Sequence, residues 1–341
     1  MLPGRRWWWL LGAAGLVVVL GVGTLLVAAR ELQRPLAVPE PPALLEVRKG
    51  ASLSGVAEEM GERGWLSPLG QLALRIYGRH TGIAHELQAG DYAVTEGLSA
   101  RALIHRVAAG RVVYERVTLV EGWTFARALE ALQAHDAIES RLDPDQAPER
   151  LAAELGLEAD HPEGWFYPTT YRFARGSTDR DILQAAHERM RERLAEAWSQ
   201  RRDDLALEAP YEALILASII ERETGEPGER RKVAGVFNRR LEQGMRLQAD
   251  PTVIYGLGED FEGRLRRRDL ERDTPYNTYR RDGLPPTPIA LPGSAALEAA
   301  VDPESGDALY FVSRGDGTHH FSETLEEHNA AVRRYILGEE P

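Results

Sequence analysis

The chain has no cysteine, which excludes disulfides, thiolate nucleophiles and cysteine-based zinc sites at once. Aromatic residues are sparse, at 7%, so a stretch that concentrates them stands out. Basic residues are outnumbered, 41 Lys and Arg against 53 Asp and Glu, and the formal charge of -12 argues against general affinity for nucleic acid. No H-E-x-x-H pattern occurs, so no metal site is expected at the C-terminal histidines His319, His320 and His328. What remains is a chain of 341 residues, long enough for about two domains with proper cores.

Long uncharged apolar runs are also missing, with one exception. Residues 7–29 carry no charge and are long enough to cross the ~30 Å hydrocarbon layer of a bilayer. Arg5 and Arg6 precede this run, and tryptophans sit at its N-terminal edge. The expectation is therefore a single-pass, uncleaved transmembrane helix in the inner (cytoplasmic) membrane. Residues 1–6 would form a cytoplasmic tail, and everything after Arg30 would lie on the extracytoplasmic side. Residues 30–43 contain Pro35, Pro39, Pro41 and Pro42 and predict a stiff, extended linker.

After the linker a strand around Val47, a turn at Gly50 and a helix opened by Ser52 are expected, with Leu53, Val56, Ala57 and Met60 on one face. The same grammar returns after Arg116: Gly122 answers Gly50, Thr124 answers Ser52, and Phe125, Ala128, Leu129 and Leu132 repeat the apolar stripe. The pattern predicts a duplicated strand–turn–helix unit within residues 44–140. Its first copy, V-R-K-G-A-S-L-S-G-V-A, resembles a LysM module, a small fold that binds glycans containing N-acetylglucosamine.

Residues 141–341 are expected to form a second, α+β domain. It opens with a charged connector broken by Pro144 and Pro148. The stretch from Glu163 to Phe173 gathers five aromatics around Pro168, either as a core strand or as a wall for stacking on sugar rings. An amphipathic helix from Asp179 follows, and later loops rich in amide, hydroxyl and tyrosine groups suit the hydrogen bonding of a neutral carbohydrate.

Between them lies the segment on which the domain is built. Pro210 to Gly225 reads as one short helix with both ends marked, and Leu214–Ile220 is apolar on every face apart from Ser218. Such a helix is buried. Its last turn nevertheless carries Glu221 and Glu223, which are about 200° apart around the axis and cannot share a face. One can look into a cleft while the other faces solvent or an arginine. Burial and the negative end of the helix dipole both raise the pKa of such a carboxylate, which suits a general acid; two ordinary exposed helix-end glutamates would read the same way.

Several blocks together resemble one family. They are E163-G-W-F-Y-P, L216-A-S-I-I-E-R-E-T, Q248-A-D-P-T-V-I-Y-G, Y276-N-T-Y, G283-L-P-P, P292-G, Y310-F-V and H319-H-F-S-E-T-L-E-E-H-N. The family is the membrane-anchored endolytic murein transglycosylases of the YceG-like group. The resemblance implies that the first glutamate of the A-S-I-I-E-x-E block, Glu221, is the catalytic residue, with Glu223 turned elsewhere. It further implies cleavage of the MurNAc–GlcNAc bond of peptidoglycan to leave 1,6-anhydroMurNAc ends, with Glu221 as acid and then base, and a role in ending glycan strand growth beside penicillin-binding proteins. No cofactor is implied. Gln248, Asp250, Tyr276, Asn277, Tyr279 and His319 are candidates to hold the glycan or to orient Glu221, and Ser218, one turn earlier, could hydrogen-bond Glu221 or its own helix. Two other readings compete: a membrane-tethered peptidoglycan-binding scaffold without catalysis, and a hydrolase using a second acid such as Asp250.

Overall fold

The computed structural model describes residue 19 and residues 21–338. Packing divides the chain into two units, one running to Glu115 and taking in Phe173–Gly176, the other formed by Arg116–Arg172 and the chain from Ser177 onward. Helices and short strands are mixed throughout, and the expected α+β class holds for both units.

In the first unit residues 21–33 are helical (α1), followed by β1 (Ala43–Val47), α2 (Leu53–Glu62), α3 (Pro68–Thr81), β2 (Gly90–Val94) and α4 (Ala100–Ala108). The turn into α2 needs the positive φ of +82° that Gly50 supplies, and Ser52 Oγ then accepts the Gly55 N–H at 3.1 Å as the cap. The predicted face of Leu53, Val56, Ala57 and Met60 is the buried one. β1 and β2 pair antiparallel with Leu45 opposite Tyr92, which puts both side chains inside. The Tyr92 hydroxyl reaches the Gln88 and Val107 carbonyls at 2.8 and 3.2 Å, so the buried phenol is satisfied.

The expected membrane helix over residues 7–29 falls mostly on residues outside the described ones. Among the described residues no helix is long and apolar enough to cross a membrane. Val22, Leu25, Leu26 and Val27 of α1 are exposed, whereas Leu32 at its end is buried in the first unit's core.

The second unit contains α5 (Phe125–Gln133), β4 (Ile138–Glu139), α6 (Pro148–Leu155), β6 (Ser177–Thr178) and α7 (Asp179–Ser199). It continues with α8 (Pro210–Glu223), α9 (Arg230–Glu242), α10 (Asp250–Leu257), α11 (Arg267–Glu271), α12 (Ser294–Val301), β7 (Tyr310–Ser313), β8 (His319–Ser322) and α13 (Leu325–Val332). β3 (Tyr114–Thr118) pairs with β5 (Thr170–Ala174), β4 with β6 in parallel, and β7 with β8 antiparallel. The second copy of the strand–turn–helix pattern forms with the same devices: Gly122 turns at φ +77° and Thr124 caps α5. It packs within the second unit, because Phe125 lies against Phe166 with ring centroids 5.2 Å apart.

Helix α8 is the centre of this unit. Ala213–Ile220 are all buried, and α7, α9, α10 and α12 surround the helix. Burying each large aliphatic side chain contributes about 1.5–3 kcal/mol, and the eight consecutive buried residues anchor α8 in this unit's core. It ends at Glu223 because Thr224 is extended, at φ -138°, one residue before the predicted stop at Gly225. The aromatic stretch from Glu163 goes largely to the core: Phe166 is fully buried, and Trp165 stacks on Tyr211 at 5.5 Å and meets His187 edge-on. Asp179 is buried where α7 begins, accepting the Arg141 and Leu142 N–H groups and Gln133 Nε2 at 3.0, 3.2 and 3.0 Å. A buried carboxylate with this many donors is stabilised as a structural anchor.

Candidate active site

The last turn of α8 sends its two glutamates to different places, as residues two apart on a helix must. Glu223 looks into a cavity of about 450 Å³. The turn into α10 supplies Gln248 and its first residue Asp250 to this cavity, the loop after α11 Tyr279, α9 Arg240, the β7–β8 hairpin Tyr310 and His319, and α13 His328 and Asn329. Four of the residues expected to handle the glycan, Gln248, Asp250, Tyr279 and His319, therefore come together around Glu223. Burial pushes the Glu223 carboxyl up to about 8; the Asp250 charge adds to the rise and the Arg240 guanidinium opposes it. Glu223 is therefore largely protonated at neutral pH.

The walls are tied down. The Tyr279 hydroxyl donates to Asp250 Oδ1 at 2.6 Å, and burial, followed by that bond, raises the phenol's pKa. Arg240 is held by the Leu309 and Leu247 carbonyls, each at 2.7 Å, which fixes the charge that faces Glu223. Gln248 adopts φ +52°, the one non-glycine residue with positive φ among the described residues, and its N–H donates to Thr278 O at 3.2 Å. Left-handed backbone at a bulky residue is strained and persists where the surroundings over-determine it.

Glu221 does not line this cavity. Its Oε2 accepts the Gly293 N–H at 3.0 Å, and its Oε1 lies 3.6 Å from Arg230 Nη2, with the Glu221 side chain 7% exposed. Burial raises its pKa; the Gly293 N–H and the Arg230 and Arg222 charges pull it down, while Glu121 adds to the rise. The geometry thus gives one carboxylate in a cleft and one facing an arginine, with Glu223 in the cleft. Glu223 thus turns elsewhere than Glu221, as helix period requires.

The remaining candidates are structural. Ser218 Oγ donates to the Ile215 carbonyl at 2.7 Å and accepts the Ile289 N–H at 3.0 Å, so it ties α8 to the 283–293 loop and leaves Glu221 untouched. Asn277 is fully buried, donates to the Leu270 and Arg272 carbonyls, and accepts the Tyr279 N–H at 2.9 Å. It holds the loop that presents Tyr279 to the cavity. Tyr276 pairs its hydroxyl with Thr287 at 2.9 Å and meets Tyr255 edge-on at 4.8 Å, outside the cavity.

Two further carboxylates escaped the sequence reading. Glu163 is buried, accepts the Phe125 N–H at 2.9 Å and the Tyr255 hydroxyl at 3.1 Å, and is pushed up to about 7 by burial. Glu229 holds His319 through its backbone N–H and Nδ1, the latter at 2.7 Å. Neither gives a local signal: Glu163 precedes a stretch noticeable only for its aromatics, and Glu229 reads as an ordinary helix cap.

The model of the YceG-like family matches residues 45–334. The chain is 31% identical over 309 residues to the endolytic murein transglycosylase of Bacillus subtilis, covering 86% of this chain and 84% of that protein. It is 28% identical over 180 residues to the endolytic murein transglycosylase of Streptococcus pneumoniae serotype 2, covering 51% of this chain and 32% of that longer protein. A crystal structure of a yceG-like protein from Listeria monocytogenes superposes with a TM-score of 0.55 at 28% identity, covering 86% of this chain and 99% of that one.

Proposed function

The chain belongs to the YceG-like family, and from that premise we propose that it is an endolytic murein transglycosylase with Glu221 as its acid and then its base. The reaction cuts the MurNAc–GlcNAc bond within peptidoglycan strands and leaves a 1,6-anhydroMurNAc end. It needs an acid to protonate the glycosidic oxygen and a base to receive the proton of the muramoyl C6 hydroxyl as that oxygen closes on C1. No water is consumed, and the carboxylate freed in the first step is sufficient as the base. Ordinary glycosidases need two carboxylates with separate roles.

The observation that carries the assignment is the setting of Glu221 at the end of α8: its side chain is 7% exposed, and burial raises its pKa against the pull of the Gly293 N–H and of Arg230, as a general acid requires. Glu223, pushed up to about 8, lines the neighbouring cavity with Gln248, Asp250, Tyr279 and His319.

The same proposal includes a membrane anchor over residues 7–29 at the cytoplasmic membrane, with the two units on the extracytoplasmic side. The apolar sequence and the exposed Val22, Leu25, Leu26 and Val27 support it. It includes glycan binding by the LysM-like stretch around Gly50, and work beside penicillin-binding proteins in ending strand growth. Mass spectrometry of purified peptidoglycan digested by the chain tests the reaction. Anhydro ends are expected. Reducing ends would make it a hydrolase using a second acid such as Asp250, and binding without cleavage would make it a scaffold.

A further inference from the structure

Helix α3 of the first unit carries an apolar stripe on its outer face. Gly70, Ala73, Leu74 and Gly78 turn inward and are buried, while Leu69, Leu72 and Ile76, at positions i, i+3 and i+7, are 40%, 53% and 59% exposed. Single exposed apolar side chains are ordinary, but three in helical register form a continuous surface. The charged groups of this helix are of one sign. Arg75 and Arg79 stand in its last two turns, Arg79 on the same face as Leu72 and Ile76, and no Asp or Glu occurs from Pro68 to Thr81 in a chain whose formal charge is -12. Among the described residues no hydrogen bond or ion pair engages either guanidinium, and Arg75 Nε is enclosed without a partner.

This helix is tied to the end of α1. The hydroxyl of Ser67, the cap of α3, donates to Glu31 Oε2 at 2.9 Å, and Glu31 belongs to the last turn of α1. Leu32 and Leu36 are buried in the same core as Leu74, and the Ala37 N–H donates to the Trp65 carbonyl at 3.1 Å. The chain leaving α1 is therefore packed onto the unit from its first residues, and α3 begins where α1 ends.

A helix that lies in a membrane interface sets apolar side chains at the boundary of headgroups and acyl chains and keeps its cations among the phosphates. Resting on the membrane anchor proposed above for residues 7–29, we propose that α3 lies on the surface of an anionic bilayer, with Leu69, Leu72 and Ile76 in the headgroup boundary and Arg75 and Arg79 on lipid phosphates. The contact holds the first unit in one orientation on the membrane, which an anchor alone does not do. A second copy of the chain suits this face less well. A twofold contact would set the unpaired guanidiniums of one α3 beside those of its mate, with no acid on either helix between them.

The test uses the cysteine-free 341-residue chain reconstituted into vesicles of phosphatidylethanolamine and phosphatidylglycerol. Leu72→Cys and Ile76→Cys each give one labelling site for an environment-sensitive fluorophore on the stripe, and Glu58→Cys, at an exposed position of α2, is the control. Lipids with a nitroxide near the top of the acyl chain report contact. Labels at positions 72 and 76 are expected to be quenched at least about twofold more than the label at 58, and less so when phosphatidylcholine replaces phosphatidylglycerol or when Arg75→Gln and Arg79→Gln are combined. Equal quenching at all three positions, in a chain that resists carbonate extraction, would overturn the proposal. So would a blue shift at 72 and 76 that lipid nitroxides do not quench and that grows with the ratio of protein to lipid, since a second copy would then cover the face. If Leu72→Cys fails to fold by circular dichroism, Ile76→Cys decides alone. Release of the chain from the vesicles by carbonate would sink the anchor reading and the proposal with it, an outcome that sedimentation tells apart from the others.

Discussion

The pH dependence of cleavage follows from the setting of Glu221. Burial, the largest cause, raises its pKa and the Glu121 charge adds to the rise, while the Gly293 N–H and the Arg230 and Arg222 charges oppose it. The basic limb of kcat/KM should therefore lie above the range of a free glutamate, since that parameter reports the free enzyme. Arg230→Gln removes a charge that lowers the pKa of Glu221, so it should move this limb to higher pH. Glu223 is pushed up to about 8, so about 90% of it is protonated at pH 7, against about 0.3% at the ordinary glutamate value. Stability carries the same signature. A carboxyl whose folded pKa is raised holds a proton that the unfolded chain has already lost, so its contribution is full below the unfolded value and is lost as pH rises toward the folded one. The melting temperature should fall between about pH 5 and 8, and less steeply in Glu223→Gln; Glu163, pushed up to about 7, contributes in the same direction and remains in the variant. The assay is release of anhydro-ended fragments from purified peptidoglycan between pH 5 and 10, beside thermal melts over the same range. A basic limb near the value of a free glutamate, or one that Arg230→Gln leaves in place, would refute the reasoning.

Two further predictions concern the scaffold. Asp179→Ala strands buried donors of Arg141, Leu142 and Gln133 and should cost about 3 kcal/mol in urea unfolding, with Asp179→Asn costing less because one acceptor oxygen remains. Gly235→Ala should cost about 1–3 kcal/mol by the same measurement. A Cβ there would lie 2.4 Å from the Glu304 backbone oxygen, which has no rotamer to escape into.

Local patterns were legible in the residues because their causes are local. Gly50 with Ser52 and Gly122 with Thr124 announce a left-handed turn and a helix cap within three residues of each other, and both units form as that grammar dictates. The run from Leu214 to Ile220 identifies a buried helix because no solvent-facing helix is apolar on every side. The opposite orientation of Glu221 and Glu223 also follows from helix period alone. Which of the two meets the cleft does not, since that depends on where α10, the β7–β8 hairpin and α13 pack, and these are contributed by residues far along the chain. Glu163 with Tyr255 and Glu229 with His319 are hidden for the same reason, each pair being joined across about ninety residues of sequence. The aromatic stretch after Glu163 kept two readings in the sequence, and its burial against Tyr211 and His187 is again a matter of tertiary packing.

The most direct test of the account is to digest purified peptidoglycan with Glu223→Gln and Glu221→Gln side by side with the unaltered chain and to count 1,6-anhydro ends by mass spectrometry. Glu221→Gln, which keeps an acceptor for the Gly293 N–H, should remain folded and release none. Glu223→Gln should retain measurable cleavage with the same kind of ends. Full activity of Glu221→Gln together with an inactive, folded Glu223→Gln would contradict the assignment and move the acid to the cavity walled by Asp250 and Tyr279.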